Sequence, residues 1–125
     1  MKLKVLPPTL RKNHHYLILD VKSEVELSKE DMLPICWDAC IRCWGENHSS
    51  NFDLCVMRHY LIGESIQDNE AIFNYKTVLR CGRSYEDDVR VALSTLTRQN
   101  KKRIAINTIG ISGTIKSGID KFIVE

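Results

Sequence analysis

Apolar residues recur along this chain in two rhythms: runs and alternations that predict strands, and spacings of three and four that predict helices. Residues 15–21 (HYLILDV) gather Tyr, Ile, Leu and Val around one charge, Asp20, which suits a first strand covered on at least one face. Ser28-Lys29-Glu30-Asp31 reads as a capping box opening a helix that runs to about Trp44, with Gly45 as its stop. Pro34 falls at the sixth helical position, so the helix either bends there or starts near Leu33; one helix with a bend is the expectation. On its face Met32, Leu33, Cys36, Cys40 and Cys43 make one stripe with core spacing. Trp37, Ile41 and Trp44 make a second stripe beside it, which either widens the core or docks a partner protein.

Farther on, residues 47–51 read as a polar loop and residues 52–61 (FDLCVMRHYL) as a second strand, followed over residues 62–70 by a solvated hairpin loop. Residues 71–80 (AIFNYKTVLR) alternate as a third strand, with Phe73, Tyr75, Thr77 and Leu79 toward the core. Ser84 with Asp87 reads as the cap of a second helix whose Tyr85, Val89, Leu93 and Leu96 form a buried stripe. A basic turn at residues 100–103 (NKKR), a fourth strand at residues 104–109, and a turn over residues 110–116 lead into a short final helix with Ile115, Ile119 and Phe122 on one side. The order β-α-β-β-α-β plus a helix predicts an α/β (α+β) sandwich, ferredoxin-like and RNA-recognition-motif-like. In that topology the sheet is four-stranded and antiparallel, its first and third strands are central, and helices cover one face and leave the other available.

The chain of 125 residues is 43% hydrophobic and 27% charged, which predicts one domain over residues 1–125 with a real core. Pro7 and Pro8 keep residues 6–11 out of helix and central strand, so residues 1–14 are expected to form an extended basic arm along a surface. No apolar run reaches the length of a membrane span, and MKLKVLPP lacks a signal-peptide core; a soluble cytoplasmic protein with reduced thiols is expected from five cysteines in such a context. The formal charge of +2 conceals a segregation: residues 1–22 hold five Lys and Arg against one acid, residues 23–75 three against ten, and residues 76–125 ten against five. Such a layout suits a protein that turns one face to a polyanion and another elsewhere; chance clustering on a solvated surface gives the same sequence.

The sharpest chemical string is Cys36, Cys40 and Cys43, the C-x3-C-x2-C spacing with which radical enzymes hold an iron-sulfur cluster. Those ligands sit on a loop, whereas these three lie on the inward side of a predicted helix, where free cysteine packs as a small hydrophobe. His14, His15, His48 and His59 lack helical metal spacing, and no nucleophile and base fall together, so neither a catalytic nor a metal residue is assigned. The third strand lacks the Lys/Arg-Gly-aromatic string of base-reading sheets, which points the cations toward phosphates instead. The expected RNA contacts are Arg11, Lys12, His14, His15, Arg80, Arg83, Lys101, Lys102, Arg103 and Lys116, with Ser112, Gly113 and Thr114 as either a phosphate cradle or a plain helix cap.

LPPTLRK shortly before a strand opening with His15-Tyr16, together with Ser112-Gly113-Thr114-Ile115-Lys116 after the last strand, resembles the archaeal ribonuclease P protein component 2 family across nearly the whole chain. The resemblance implies an α/β sandwich that supports RNA-catalysed removal of the 5′ leader from precursor tRNA, with Mg2+ used by the RNA and no cofactor on the protein. It implies as partners the ribonuclease P RNA, a barrel-shaped protein subunit and other subunits, with precursor tRNA met indirectly and a homodimer inside a heterotetramer as one possible assembly. Two readings from other classes stand beside it: an iron-sulfur or metal protein using Cys36, Cys40 and Cys43, and a ferredoxin-like protein interaction module.

Overall fold

The structure, a computed structural model, describes residues 14–99 and 101–123. Residues 1–13 of the expected arm, Arg11 and Lys12 among them, lie outside the described residues; His14 already belongs to the first strand. The elements are β1 (His14–Ser23), α1 (Lys29–Trp44), α2 (Glu46–Ser49), β2 (Cys55–Gln67), β3 (Glu70–Gly82), α3 (Glu86–Ser94), β4 (Arg98–Gln99), β5 (Lys102–Ser112) and α4 (Ile115–Phe122). They form an α+β fold around a five-stranded sheet in the order β2-β3-β1-β5-β4, antiparallel throughout. β1 and β3 are interior strands, as the pattern predicts. The fifth strand, unexpected, is a two-residue return after α3: Arg98 pairs with Arg103 and Gln99 with Lys102, so the basic Lys102 and Arg103 belong to an antiparallel pair.

The core lies between one sheet face and helices α1 and α3. Alternate residues Leu17, Leu19 and Val21 of β1 point into it, opposite Leu79, Thr77 and Tyr75 of β3. Both helices meet them with apolar stripes, Met32, Ile35 and Cys36 from α1 and Val89 and Leu93 from α3. The N-terminus of α1 carries the full capping box: the Ser28 hydroxyl accepts from Asp31 N (3.2 Å) and the Asp31 carboxylate accepts from Ser28 N (2.8 Å). A cap of this kind contributes about 1 kcal/mol. Those two Ser28 groups also hold the Asp31 carboxyl below its usual range. Pro34 lies inside a single helix, where its missing N–H forfeits the bond to the Glu30 carbonyl. Gly45, at φ 83°, stops the helix in a left-handed conformation that glycine adopts freely.

Several boundaries differ from expectation. The polar stretch after Gly45 holds the short helix α2. Residues 62–67 are strand, because the hairpin closes on only Asp68 and Asn69, whose φ of 51° and 65° suit Asp and Asn in a tight two-residue turn. Ser84 and Asp87 do not cap α3; Tyr85 occupies the N-cap position without a side-chain bond, while Ser84, at φ 82°, donates its N–H to Glu86 Oε1. β5 runs on through Ser112, with a register shift opposite Ile18 and Leu19. Cys43 is exposed and Leu33 only half-buried, so the expected core stripe of α1 narrows to Met32, Cys36 and Cys40.

The second sheet face is not left open. Ile18 and Val78, cross-strand neighbours on that face, are fully buried, and α4 lies against it. Two glycines let the helix come close: a Cβ on Gly118 would sit 2.6 Å from Ile18 Cδ1, and one on Gly110 would sit 2.2–2.5 Å from three carbons of the Phe122 ring. At the other side of the sheet β2 is an edge strand with two register shifts, at Val56/Arg58 and Leu61/Gly63, and Leu61, Ile62 and Ile66 are 56%, 54% and 80% exposed. His59 ties this strand inward: its ring stacks on Tyr75 (centroids 4.5 Å apart) and its nitrogens contact Thr77 Oγ1 (2.8 Å) and the Leu27 carbonyl (2.9 Å), while the Tyr75 hydroxyl accepts from Leu27 N (2.8 Å).

Candidate nucleic-acid interface

The register of β1 assembles one corner of the sheet. Tyr16 pairs with Arg80 on β3 and with Ser112 on β5, and His14 pairs with Gly82. Alternation along the strands puts His14, Tyr16 and Arg80 on the face that carries α4. Asp53, at φ 52°, holds this corner: one carboxylate oxygen meets His14 Nε2 at 2.6 Å and the other accepts from Arg80 Nη2 at 3.3 Å. Arg80 Nε is buried without an acceptor among the described residues. His15 points to the opposite side and pairs with Glu86 at the start of α3. Burial pushes the Glu86 carboxyl up, but hydrogen bonds from its own and the Ser84 backbone, with His15 beside it, hold it below the usual range.

Next to that corner the chain turns into α4. Thr114 is the N-cap: its hydroxyl accepts from Ser117 N (3.1 Å), while the Ser112 hydroxyl donates to the Thr114 carbonyl (2.8 Å) and accepts from Thr114 N (3.3 Å). Ser112, Gly113 and Thr114 thus form a helix cap in which these hydroxyls and N–H groups are already engaged. Lys116 is exposed in the first turn of α4.

The remaining cations collect elsewhere. Lys102 opens β5 and Ser112 ends it, so the basic β4–β5 pair lies about 33 Å from the Tyr16 corner at a rise of roughly 3.3 Å per residue. Arg103 there is bound twice, by Glu24 Oε1 (3.1 Å) and Glu70 Oε2 (3.4 Å), and its backbone N–H donates to the same Glu24 oxygen (2.6 Å). The Glu24 carboxyl is lowered to about 2, first by its hydrogen bond with Glu70 and then by Arg103. Among the described residues, Arg83, Lys101, Lys102 and Lys116 are exposed and make no ion pair, whereas His14, His15, Arg80 and Arg103 each face a carboxylate. Glu24, Asp53 and Glu70 were not singled out from the sequence; their partners stand tens of residues away, and only the fold brings them together.

The tryptophan stripe divides. Trp37 is half-buried and packs against the core, while Ile41 and Trp44 are exposed, Trp44 at 39%. Trp44 is nonetheless fixed, since its Nε1 donates to the Asp88 carbonyl (2.8 Å) and its ring meets His48 edge-on at 5.6 Å. Of the three clustered thiols, Cys36 and Cys40 lie in the core and are pushed up to about 12 by burial, whereas Cys43 is exposed. The three therefore do not converge on one point, and among the described residues no group of three or more His, Cys, Asp or Glu is placed to hold a metal ion.

Comparison with known proteins places this geometry. The model of the Rpp14/Pop5 family matches residues 12–123. The chain is 49% identical over 123 residues to ribonuclease P protein component 2 of Methanobrevibacter smithii, covering 98% of each. It is 38% identical to the protein of that name from Methanothermobacter thermautotrophicus, over 97% of this chain and 94% of the relative, and 34% identical to that from Pyrococcus abyssi, over 98% and 95%. With the family match spanning both the Tyr16 corner and the basic β4–β5 pair, and with relatives aligned end to end, the chain belongs to the Rpp14/Pop5 family.

Proposed function

We propose that this chain is a protein subunit of ribonuclease P and supports RNA-catalysed removal of the 5′ leader from precursor tRNA. The observation that carries this reading is the 49% identity to a ribonuclease P protein component 2 over 98% of both chains. In this role the RNA performs the hydrolysis with Mg2+, the protein binds no cofactor, and the chain holds the catalytic RNA in its active form from the cytoplasm. The sheet order supports an RNA-recognition-motif-like relationship, with four main strands and a short added one. Its partners are the catalytic RNA, other protein subunits, a barrel-shaped one among them, and a second copy of itself within a heterotetramer.

Exposed Arg83, Lys101, Lys102 and Lys116 are the cations most available to phosphates, with Arg11 and Lys12 adding to them; Arg80, Arg103, His14 and His15 act with the carboxylates that hold them. Ile41 and Trp44 present an apolar surface to a protein partner, Trp37 backing it from the core. The test is cleavage of a precursor tRNA by the catalytic RNA of the same genome at limiting Mg2+, with the other protein subunits present and this chain added or withheld. Stimulation on addition is expected. Equal rates with and without it, the other subunits being folded, refute the role.

A further inference from the structure

Tyr16 is a tyrosine whose surroundings differ from those of its counterparts. Tyr75 uses both ends, its ring on His59 and its hydroxyl on Leu27 N, and the Tyr85 ring packs against Phe52 and His48. Tyr16 is half-buried, stacks on no other ring among the described residues, and its hydroxyl makes no hydrogen bond there. A phenol in that position normally finds a partner for its polar end. It stands on the α4-bearing face, in one cross-strand row between Arg80 and Ser112. One step farther along the strand, on the same face, Ile18 is sealed under Gly118, so the α4 helix covers the position beyond Tyr16 and begins beside it, with Lys116 in its first turn.

From this juxtaposition we infer that Tyr16 is a stacking platform for one unpaired RNA base, with Arg80 and Lys116 taking the phosphates on either side of that nucleotide. The inference rests on the RNA-binding reading above and adds to it the one contact with a base. The occupant is single-stranded RNA because an aromatic face between two cations fits a base between its flanking phosphates, and stacking asks for no particular base. That agrees with a third strand that lacks the base-reading string. The other outward tyrosine of this face, Tyr60, stands on the edge strand β2, separated by two strands from β5 and the turn into α4, the helix that carries Lys116, and serves as the control.

The probe is an oligouridine of about 12 nucleotides and its abasic counterpart, titrated into the full chain. Wild type should bind the oligouridine about tenfold tighter than the abasic strand, the difference vanishing in Tyr16→Ile and persisting in Tyr16→Phe and Tyr60→Ala. Stacking is not an ionic contact, so Tyr16→Ile should leave the slope of affinity against salt unchanged, whereas Lys116→Ala should flatten it by about one phosphate contact. Photo-crosslinking wild type to an iodouridine-labelled strand should attach the label to the peptide carrying Tyr16, a readout that needs no variant to fold. Equal binding of uridine and abasic strands with a normal salt slope, or a label placed elsewhere, overturns the platform and leaves the phosphate contacts standing. Absence of any salt-dependent binding overturns both.

Discussion

Gly118→Ala tests how α4 is seated. Within a helix the change from glycine to alanine contributes about 0.8–1.0 kcal/mol by itself. Here the new Cβ would sit 2.6 Å from Ile18 Cδ1, about 1 Å inside ordinary contact, and 3.3 Å from Ile18 Cγ1 and Ser112 Cβ. Ile18 is fully buried between strands and helix and has little room to turn, so overpacking of about 1–3 kcal/mol opposes the propensity gain. The substitution should therefore destabilise the protein by about 1 kcal/mol on balance. Ile18→Val removes only the offending Cδ1 at a cost of about 0.5–1.5 kcal/mol. In that background Gly118→Ala should reverse sign and stabilise by about 0.5–1 kcal/mol, since the 3.3 Å neighbours need shift by only a few tenths of an ångström. Urea unfolding of the four proteins, with unchanged m-values, measures the cycle directly. Gly118→Ala having the same sign and size in both backgrounds would refute the docking described for α4.

Two further outcomes follow from the electrostatics and burial. The Glu24 carboxyl, depressed to about 2 in the folded chain, contributes stability that is complete above its ordinary pKa near 4.5 and is lost as pH falls toward 2; the Tm gap between wild type and Glu24→Gln should be open at pH 6 and close across that window, and a gap independent of pH would contradict the clamp with Glu70 and Arg103. Thiol labelling of the native chain at neutral pH should modify Cys43 first and leave Cys36, Cys40 and Cys81 until unfolding, because the latter three are buried and shifted up to about 12; rapid labelling of Cys36 or Cys40 would show that α1 is not packed as described.

The parts of this fold that announce themselves in the sequence are those fixed by neighbours along the chain. The Ser28–Asp31 box, the Gly45 stop, the apolar run of β1 and the Val89 and Leu93 positions of α3 are local patterns, and each lies where those patterns place it; Tyr85 and Leu96 of the expected stripe flank the helix instead. The long β2–β3 hairpin was hidden because two bulges reset its alternation and because Leu61, Ile62 and Ile66 face water, so residues 62–67 imitate a loop. The seat of α4 was hidden because Gly110 reads as a turn residue, and nothing local to the chain marks Gly118 inside its short helix, until the fold sets them against Phe122 and Ile18. Charge was the least legible. Summed along the chain, the two ends are basic, yet Arg80 is held from Asp53 across 27 positions and Arg103 from Glu24 across 79, and sequence distance gives no sign of which cations remain available.

The outer edge of β2 carries a consequence for the life of the chain before it joins other molecules. A flat strand of this length with three outward aliphatics would offer an unbroken template on which the next copy could add, and the next, into a growing ribbon. The shifts at Val56/Arg58 and Leu61/Gly63 interrupt that template twice and turn successive side chains to different sides, so an incoming strand finds only short lengths to match. Straightening the strand, by deleting Ile62 for instance, would lengthen the matching run and turn a tolerated edge into a seed for fibres.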